Sequence, residues 1–296
     1  MRTLPASSPD DVETNQVVER GALYIVGTPI GNRGDLSPRA KAVLAAVDRI
    51  CAEDTRTSGA LLAHFGIHRP MQAMHEHNED RTAADTVRKL QSGVSLALVS
   101  DAGMPLVSDP GYALVSAARA SGVPIYVVPG PSAVLAALSV SGLPTDRFVF
   151  EGFLPPKAAA RRRRLQVLAS ETRTLVCFES AHRIVETAAD CAELFAERRL
   201  CVARELTKRF EESVLLPVAE VPAWLAADEH RTKGEFVLVL EGATPTVAGD
   251  DQLRATLVPL LRELSPSKAA RVAAELTGRS RNELYPLAVE LANETA

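Results

Sequence analysis

From residue 22 to about 142, short apolar runs alternate with segments whose apolar positions recur at helical spacing. Ala22–Val26, Arg49–Glu53, Ser95–Ser100 and Ile125–Val128 carry β-branched and aliphatic residues in the pattern of buried strands. Helices are predicted from Ser37-Pro38, an N-cap and first-turn pair, to about Val47, and over Ser58–Phe65 with Gly66 as its stop. Others are predicted over Asp80–Gln91 ahead of Gly93, over Tyr112–Ala120 and over Ser132–Val140. Such regular alternation points to a doubly wound, mostly parallel sheet.

Gly142-Leu143-Pro144 interrupts this rhythm and reads as a hinge closing a first α/β domain at 21–142. Beyond it come a strand at Phe148–Phe150, the loop GFLPPK and a basic helix to about Ala169. Strands at Thr174–Phe178 and Leu200–Ala203 flank a helix over Ala181–Phe195; then follow the segment Glu211–Leu216, a short helix near Trp224 and a strand at Phe236–Glu241. The order predicts a second α/β domain, 143–242, with more antiparallel pairing. Gly242–Gly249 is a linker, and 250–296 reads as a helical tail with a turn at Gly278. Residues 1–20 lack the apolar core of a signal peptide and read as a disordered leader.

Composition narrows the class. Hydrophobic content is 46% with only 4% aromatics, so the cores are aliphatic. A formal net charge of −4 means that a nucleic-acid partner has to be met by local basic patches. No apolar run reaches membrane-spanning length. Cys51, Cys177, Cys191 and Cys201 form no C-x-x-C pair, and three lie in apolar runs, as expected of buried reduced thiols in a cytosolic protein. Neither a G-x-S-x-G nucleophile motif nor a Cys/His set at metal-ligand spacing is present.

The chemistry-bearing stretches are three Gly/Pro-rich loops that follow three predicted strands. The first, GTPIGNRG at 27–34, has neither the G-x-G-x-x-G order nor the P-loop lysine. The second, SDAGMPLVSDPG at 100–111, sets Ser100, Asp101 and Gly103 at a strand's carboxyl end, where an Asp takes ribose hydroxyls or an amine. An Asx turn capping the next helix suits the same residues. In the third, VPGPSA at 128–133, two prolines stiffen the strand exit and Ser132 caps a helix. Parallel strands share one carboxyl edge, so the loops are expected to converge on one cleft for a nucleotide-like ligand.

Taken in order, GTPIGN (27–32), AEDTR (52–56), SDAGMPLVSDPG (100–111), VPGPSA (128–133), GFLP (152–155), FESAHR (178–183), ARELTK (203–208) and KGEFVLV (233–239) resemble the motifs of the bacterial 16S rRNA (cytidine) 2′-O-methyltransferase I family. That family belongs to the tetrapyrrole-methylase-like class of S-adenosylmethionine enzymes, and the resemblance runs from residue 22 to about 290. It implies two α/β domains of the tetrapyrrole-methylase type with the cofactor cleft between them, a helix-turn-helix-like tail and usually a homodimer. It also implies S-adenosyl-L-methionine as cofactor and 2′-O-methylation of a cytidine in the decoding centre of the small ribosomal subunit. By the same resemblance Pro29, Ser100, Asp101, Gly103, Pro105, Ser132 and Ala133 contact the cofactor from the first domain, and Phe178, Leu206, Gly234 and Glu235 from the second.

The acceptor hydroxyl has to be aligned and relieved of its proton. Asp54 in Glu53-Asp54-Thr55-Arg56 is the expected base or hydroxyl-orienting group, with Glu53 as the other carboxylate and Arg56 as a phosphate contact. A surface Asp–Arg pair accounts for the same residues. His75 and His77, Lys157, Arg161 and Arg164, and Lys268, Arg271, Arg279 and Arg281 are the expected RNA contacts, no metal being called for. Four consecutive arginines on a helix sweep roughly 300°, so only one or two can meet a phosphate. The tail reads either as an RNA-docking arm or as a packed helical hairpin. Two other functions fit the residues: a methylase of the same fold acting on a tetrapyrrole or other small molecule, and a non-catalytic ribosome-binding factor. Cofactor binding separates the second of these from the enzyme.

Overall fold

The computed structural model describes residues 18–75, 79–244 and 250–294; most of the expected leader, and His77, lie outside them. β1 (Leu23–Val26), β2 (Arg49–Ala52), β3 (Met71–Ala73), β4 (Leu96–Val99) and β5 (Ile125–Val128) form an all-parallel sheet in the order β3-β2-β4-β1-β5. Side chains alternate between two cores: Leu23 and Ile25 of β1 face one, Ala22, Tyr24 and Val26 the other. A sheet covered on both faces needs such continuous apolar strands. β3 was not expected, since three residues carry too little periodicity to register.

The helices are α1 (Pro38–Ala46), α2 (Thr55–His64), α3 (Glu79–Gln91), α4 (Tyr112–Ala120) and α5 (Ala133–Ser141). Ser37 caps α1 as expected, its hydroxyl accepting the Ala40 N–H at 3.0 Å. α2 begins earlier than its apolar periodicity suggests because Asp54 caps it, accepting the Arg56 N–H at 2.8 Å.

The second sheet comprises β6 (Phe148–Phe153), β7 (Thr174–Ser180), β8 (Arg199–Arg204), β9 (Glu212–Pro217) and β10 (Glu235–Leu240), in the order β6-β7-β10-β8-β9. Only β6 and β7 are parallel. One face packs on α6 (Ala158–Val167), α7 (Ile184–Leu194) and α8 (Val221–Ala226), through Leu165, Ile184, Leu225 and Phe236 among others. The opposite face is covered by α5: Val134, Ala137 and Leu138 share a core with Val176, Cys201, Ala203, Val237 and Val239. The two sheets accordingly form one compact unit, residues up to 169 with 173–241. Gly142, expected at a hinge, is the left-handed C-cap of α5, at φ 67°.

Residues 242 onward, with 170–172, form a second unit. Its helices α9 (Asp250–Leu261), α10 (Pro266–Thr277) and α11 (Arg281–Glu294) enclose Leu253, Leu257, Leu284 and Leu291 around a face of α10 made by Ala269, Ala270 and Ala273. Gly278, at φ 71°, ends α10. Among the described residues no helix is long and apolar enough to cross a membrane. All four cysteines are buried and unbridged.

The arginine run of α6 does not behave as expected. Arg161 is 1% exposed and donates from Nε to Asp190 at 2.6 Å and from Nη2 to Glu186 at 3.2 Å. Arg162 also donates to Asp190, at 2.6 Å, and Arg164 pairs with Glu151 at 2.6 Å. Arg161 therefore ties α6 to α7 inside the protein and cannot reach a phosphate. An uncompensated buried charge costs about 3–5 kcal/mol, and removal of Arg161 leaves Asp190 with Arg162 as its remaining partner, so the cost is expected at or below the lower end of that range. Arg161→Ala is expected to show that loss in urea unfolding, whereas Arg161→Met with Asp190→Leu should recover most of it.

Candidate active site

Hydrogen bonds stitch the three strand-exit loops together. Thr28 and Gly103 exchange backbone bonds at 2.8 and 3.1 Å, joining the first loop to the second. The first and third loops touch backbone to backbone: a Cβ on Gly130 would sit 2.8 Å from Gly27 Cα, and one on Gly27 only 2.7 Å from Gly130 Cα. Glycine is required at both positions by close approach alone. Ser132 caps α5, its hydroxyl accepting the Leu135 N–H at 3.4 Å.

From the second sheet, the turn after β8 closes over the same edge. Thr207 Oγ1 accepts the Asn32 N–H at 3.1 Å. Glu205 accepts the Glu235 N–H at 3.0 Å, and Lys208 Nζ pairs with Glu205 and Glu235 at 2.9 and 2.8 Å. Gly234, at φ +100°, has no room for a side chain, since a Cβ would lie 2.5 Å from Glu205 Cγ. Among the described residues, the non-glycine residues with positive φ are Leu106, Ser108, Glu205 and Thr207. All four fall in the two segments bordering this edge, where the surrounding contacts hold the strained backbone in place.

Between the sheets these segments enclose a cavity of about 440 Å³. Its walls differ in chemistry. Glu53, Asp101 and Asp109 place carboxylates on the side of the first sheet, while Phe178, Ala203, Leu206 and Val237 make an apolar surface on the second, beside Glu179 and Glu235, which are paired with Arg183 and Lys208. Reciprocal contacts between neighbouring strands set the acidic side: the Asp54 N–H donates to Asp101 Oδ1 at 3.2 Å, and the Asp101 N–H is bound by Glu53. Burial raises the Glu53 carboxyl, and the adjacent Asp101 charge raises it further. Burial also raises Asp101, against the Asp54 N–H. Asp109 is pushed furthest, to about 6, by burial, with the Ser100 hydroxyl opposing and Glu53 and Asp101 adding to the rise.

Of the residues expected at the cofactor, Asp101, Gly103, Ser132, Ala133, Phe178, Leu206, Gly234 and Glu235 line the cavity. Pro29, Ser100 and Pro105 are buried and stand off its wall, Ser100 acting from behind on Asp109. Of the acidic pair, Glu53 faces the cavity and Asp54 does not. The Asp54 carboxylate is spent on capping α2 and on Arg56, which holds it at 2.9 Å and lowers its pKa. Arg56 itself is 90% exposed at the side chain. Of the other RNA candidates, His75, Lys157, Lys268, Arg271 and Arg281 are exposed, Arg281 bonding Ser267 at 3.0 Å, and Arg279 is half-buried against Glu283. Among the described residues no group of His, Cys, Asp and Glu is arranged to hold a metal.

Motif reading passed over Asp109 and Phe153 on the cavity wall. Both lie in quoted motifs, and the periodicity gave no reason to single them out. It also missed why GFLP and FESAHR occur together. Glu179 is buried, accepts from Ser180 N, Arg183 and Thr187 Oγ1 at 2.8, 3.0 and 2.7 Å, and Arg183 donates on to the Leu154 carbonyl at 2.6 Å.

A cleft between a parallel sheet and a mixed sheet, bordered by glycine loops, defines a class. Residues 22–222 match the family described as Tetrapyrrole (Corrin/Porphyrin) Methylases. Solved structures of the same fold include the methyltransferase CobJ (TM-score 0.56, 19% identity, 77% of this chain and 97% of that one) and diphthine synthase (TM-score 0.58, 14% identity, 74% and 89%). Another, uroporphyrin-III C-methyltransferase from Thermus thermophilus, was solved with S-adenosyl homocysteine (TM-score 0.52, 19% identity, 74% and 97%). Residues 247–292 match the RsmI C-terminal HTH domain. Proteins named ribosomal RNA small subunit methyltransferase I are 55% identical in Xylella fastidiosa (90% of this chain, 98% of the relative) and 48% identical in Pseudomonas aeruginosa (91% and 97%). The chain belongs to the tetrapyrrole methylases, and within them to the ribosomal RNA small subunit methyltransferase I family.

Folded Asp109 keeps its proton up to about pH 6, whereas the unfolded chain releases it near 3.8. The stability it contributes is complete below 3.8 and is lost as the pH rises through about 6. Asp109→Asn is therefore expected to raise the melting temperature at pH 7.5, by roughly 2–4 °C per kcal/mol recovered. At pH 4 the gain should vanish, as thermal scans at the two pH values would show.

Proposed function

We propose that this chain transfers the methyl group of S-adenosyl-L-methionine to the 2′-hydroxyl of a cytidine in the decoding centre of 16S rRNA, on the small ribosomal subunit. The observation that carries the reading is the cavity of about 440 Å³, which has the carboxylates of Glu53, Asp101 and Asp109 on the side of the first sheet and, on the second, an apolar group of Phe178, Ala203, Leu206 and Val237 beside Glu179 and Glu235, whose carboxylates are already paired with Arg183 and Lys208. Its size suits a nucleoside-sized ligand, and its lining suits one that is apolar at one end and cationic at the other. The names of the relatives supply the ribosomal substrate, and the resemblance supplies the position.

When bound, the cofactor supplies an electrophilic methyl group on a positively charged sulfur. Asp101 offers its carboxylate to the amine of the methionine moiety, and Gly103 lets backbone approach. Phe178 and Leu206 take the adenosyl part and exclude water. Glu53, on the wall with a raised pKa, would accept the proton of the ribose hydroxyl, whose oxygen takes the methyl group as the methyl–sulfur bond breaks and the sulfur leaves as a neutral thioether. Glu53 thus takes the role first expected of Asp54, whose carboxylate serves α2 and orients Arg56. Arg56, His75, Lys157 and the tail residues Lys268, Arg271 and Arg281 offer exposed positive or hydrogen-bonding groups to RNA.

The reading includes a cytoplasmic homodimer. Exposed Val127 on the edge strand β5, with Leu135 and Val140 on α5, supplies apolar surface for it, and light scattering would give the mass.

The test is methyl transfer from labelled S-adenosylmethionine to purified small subunits lacking the modification. Label should appear in 2′-O-methylcytidine; transfer to another nucleoside, or none with cofactor bound, would refute the assignment. Asp101→Ala is expected to lose cofactor binding in calorimetry. Glu53→Gln should bind the cofactor normally and lose roughly 10²–10⁴-fold in turnover, the usual worth of a general base. Asp54→Asn, which keeps a capping side chain, should retain most turnover, and a loss matching that of Glu53→Gln would return the role to Asp54.

A further inference from the structure

Phe153 is an exposed aromatic on the wall of a substrate cavity. Its side chain lines the cavity, yet the residue is 54% exposed. Phe178, which also lines the cavity, stands edge to face with it, at 5.6 Å between centroids and 61° between planes, and packs in turn on Phe150 at 4.9 Å. The ring is fixed from both sides along the chain. Before it, the β6–β7 register shifts between Phe150 and Gly152, and Gly152 takes φ +64°. A Cβ there would stand 3.1 Å from Ser108 Oγ, so the bulge is seated against the strained loop of the first sheet. After it, Leu154 is 2% exposed and its carbonyl is held by Arg183 at 2.6 Å. A large apolar ring is thus kept rigid at the mouth of the cavity without being buried.

The cavity volume of about 440 Å³ is that of one cofactor-sized molecule, and the apolar surface of half-buried Phe178 with buried Ala203, Leu206 and Val237 already suits an adenine. The second substrate has to arrive at the mouth. A ribose hydroxyl inside structured RNA reaches such a site only when its nucleotide is splayed out, and an unstacked base is stabilised by an aromatic face.

We propose that Phe153 is the platform on which the base of the target nucleotide stacks while its ribose enters the cavity. The inference rests on the rRNA methyltransferase reading above. The ring takes no part in the chemistry; it positions the acceptor.

The test compares wild type with Phe153→Ala, Phe153→Leu and Phe153→Tyr, using small subunits lacking the modification as methyl acceptor and calorimetry for S-adenosylmethionine. Stacking on an aromatic side chain predicts a fall in kcat/KM for the subunit of roughly 5- to 150-fold in Phe153→Ala. Phe153→Leu, which keeps apolar bulk without a π face, should fall with it, and Phe153→Tyr should stay near wild type. Cofactor affinity should be unchanged throughout. Leucine as active as phenylalanine would overturn stacking in favour of plain packing. A parallel loss of cofactor affinity would assign the ring to the adenine instead. A change in molecular mass on substitution, measured by light scattering, would assign it to a contact between copies of the chain. Wild-type protein that binds cofactor but never methylates the subunit would remove the functional reading itself, a result distinct from any difference among the variants.

Discussion

The structure depends on α5 lying against a sheet to which it does not belong. The helix follows the last strand of the parallel sheet, yet its apolar side chains are buried by β8, β9 and β10 of the mixed sheet. A helix and a sheet cannot leave such faces in water without losing about 25 cal/mol for each Å² exposed. The two sheets are therefore held at a fixed separation by the hydrophobic effect, and the cavity is the space left beside that contact. Ser132 and Ala133, where α5 begins, line the cavity, so the element that joins the sheets also forms part of its wall.

On that frame, three carboxylates are held where burial disfavours their ionisation, with Asp101 adding to the rise at Glu53 and both adding to that at Asp109, and four residues are held in left-handed backbone conformations. Both features oppose folding locally. They are tolerated because the loops are over-determined: backbone bonds between Thr28 and Gly103, the glycine contact of 27 and 130, and the Asn32–Thr207 bond leave little freedom to relax. A cationic ligand in the cavity would relieve the repulsion among these carboxylates, which makes them a source of affinity.

The fold was legible in the sequence wherever one local rule governed it. Strands β1, β4 and β5 are apolar on both faces, Ser37 and Ser132 are N-caps, and Gly278 is a C-cap. What escaped depends on partners distant in the chain. Gly142 has the look of a hinge until the burial of α5 against Leu215 and Val237 is known. Arg161 reads as part of a basic face because Asp190, which neutralises it, lies a helix away. Glu53 and Asp54 are adjacent and chemically alike; only the start of α2 decides which carboxylate caps a helix and which faces the cavity. Phe153 was hidden for the opposite reason, since an exposed aromatic next to prolines looks like an ordinary loop residue.

The cysteines carry a consequence of another kind. Cys51 lies in the core beneath α3 and α4, Cys177 and Cys191 in the core of the mixed sheet, and Cys201 in the core shared with α5. Burial pushes the thiols of Cys51 and Cys201 up to about 11 and that of Cys191 to about 12, and raises Cys177 as well. A buried, protonated thiol is inert to alkylating reagents until its surroundings open. The main unit thus contains a native reporter in each of three cores, so the order in which the cysteines become labelled would trace the order in which the packing comes apart.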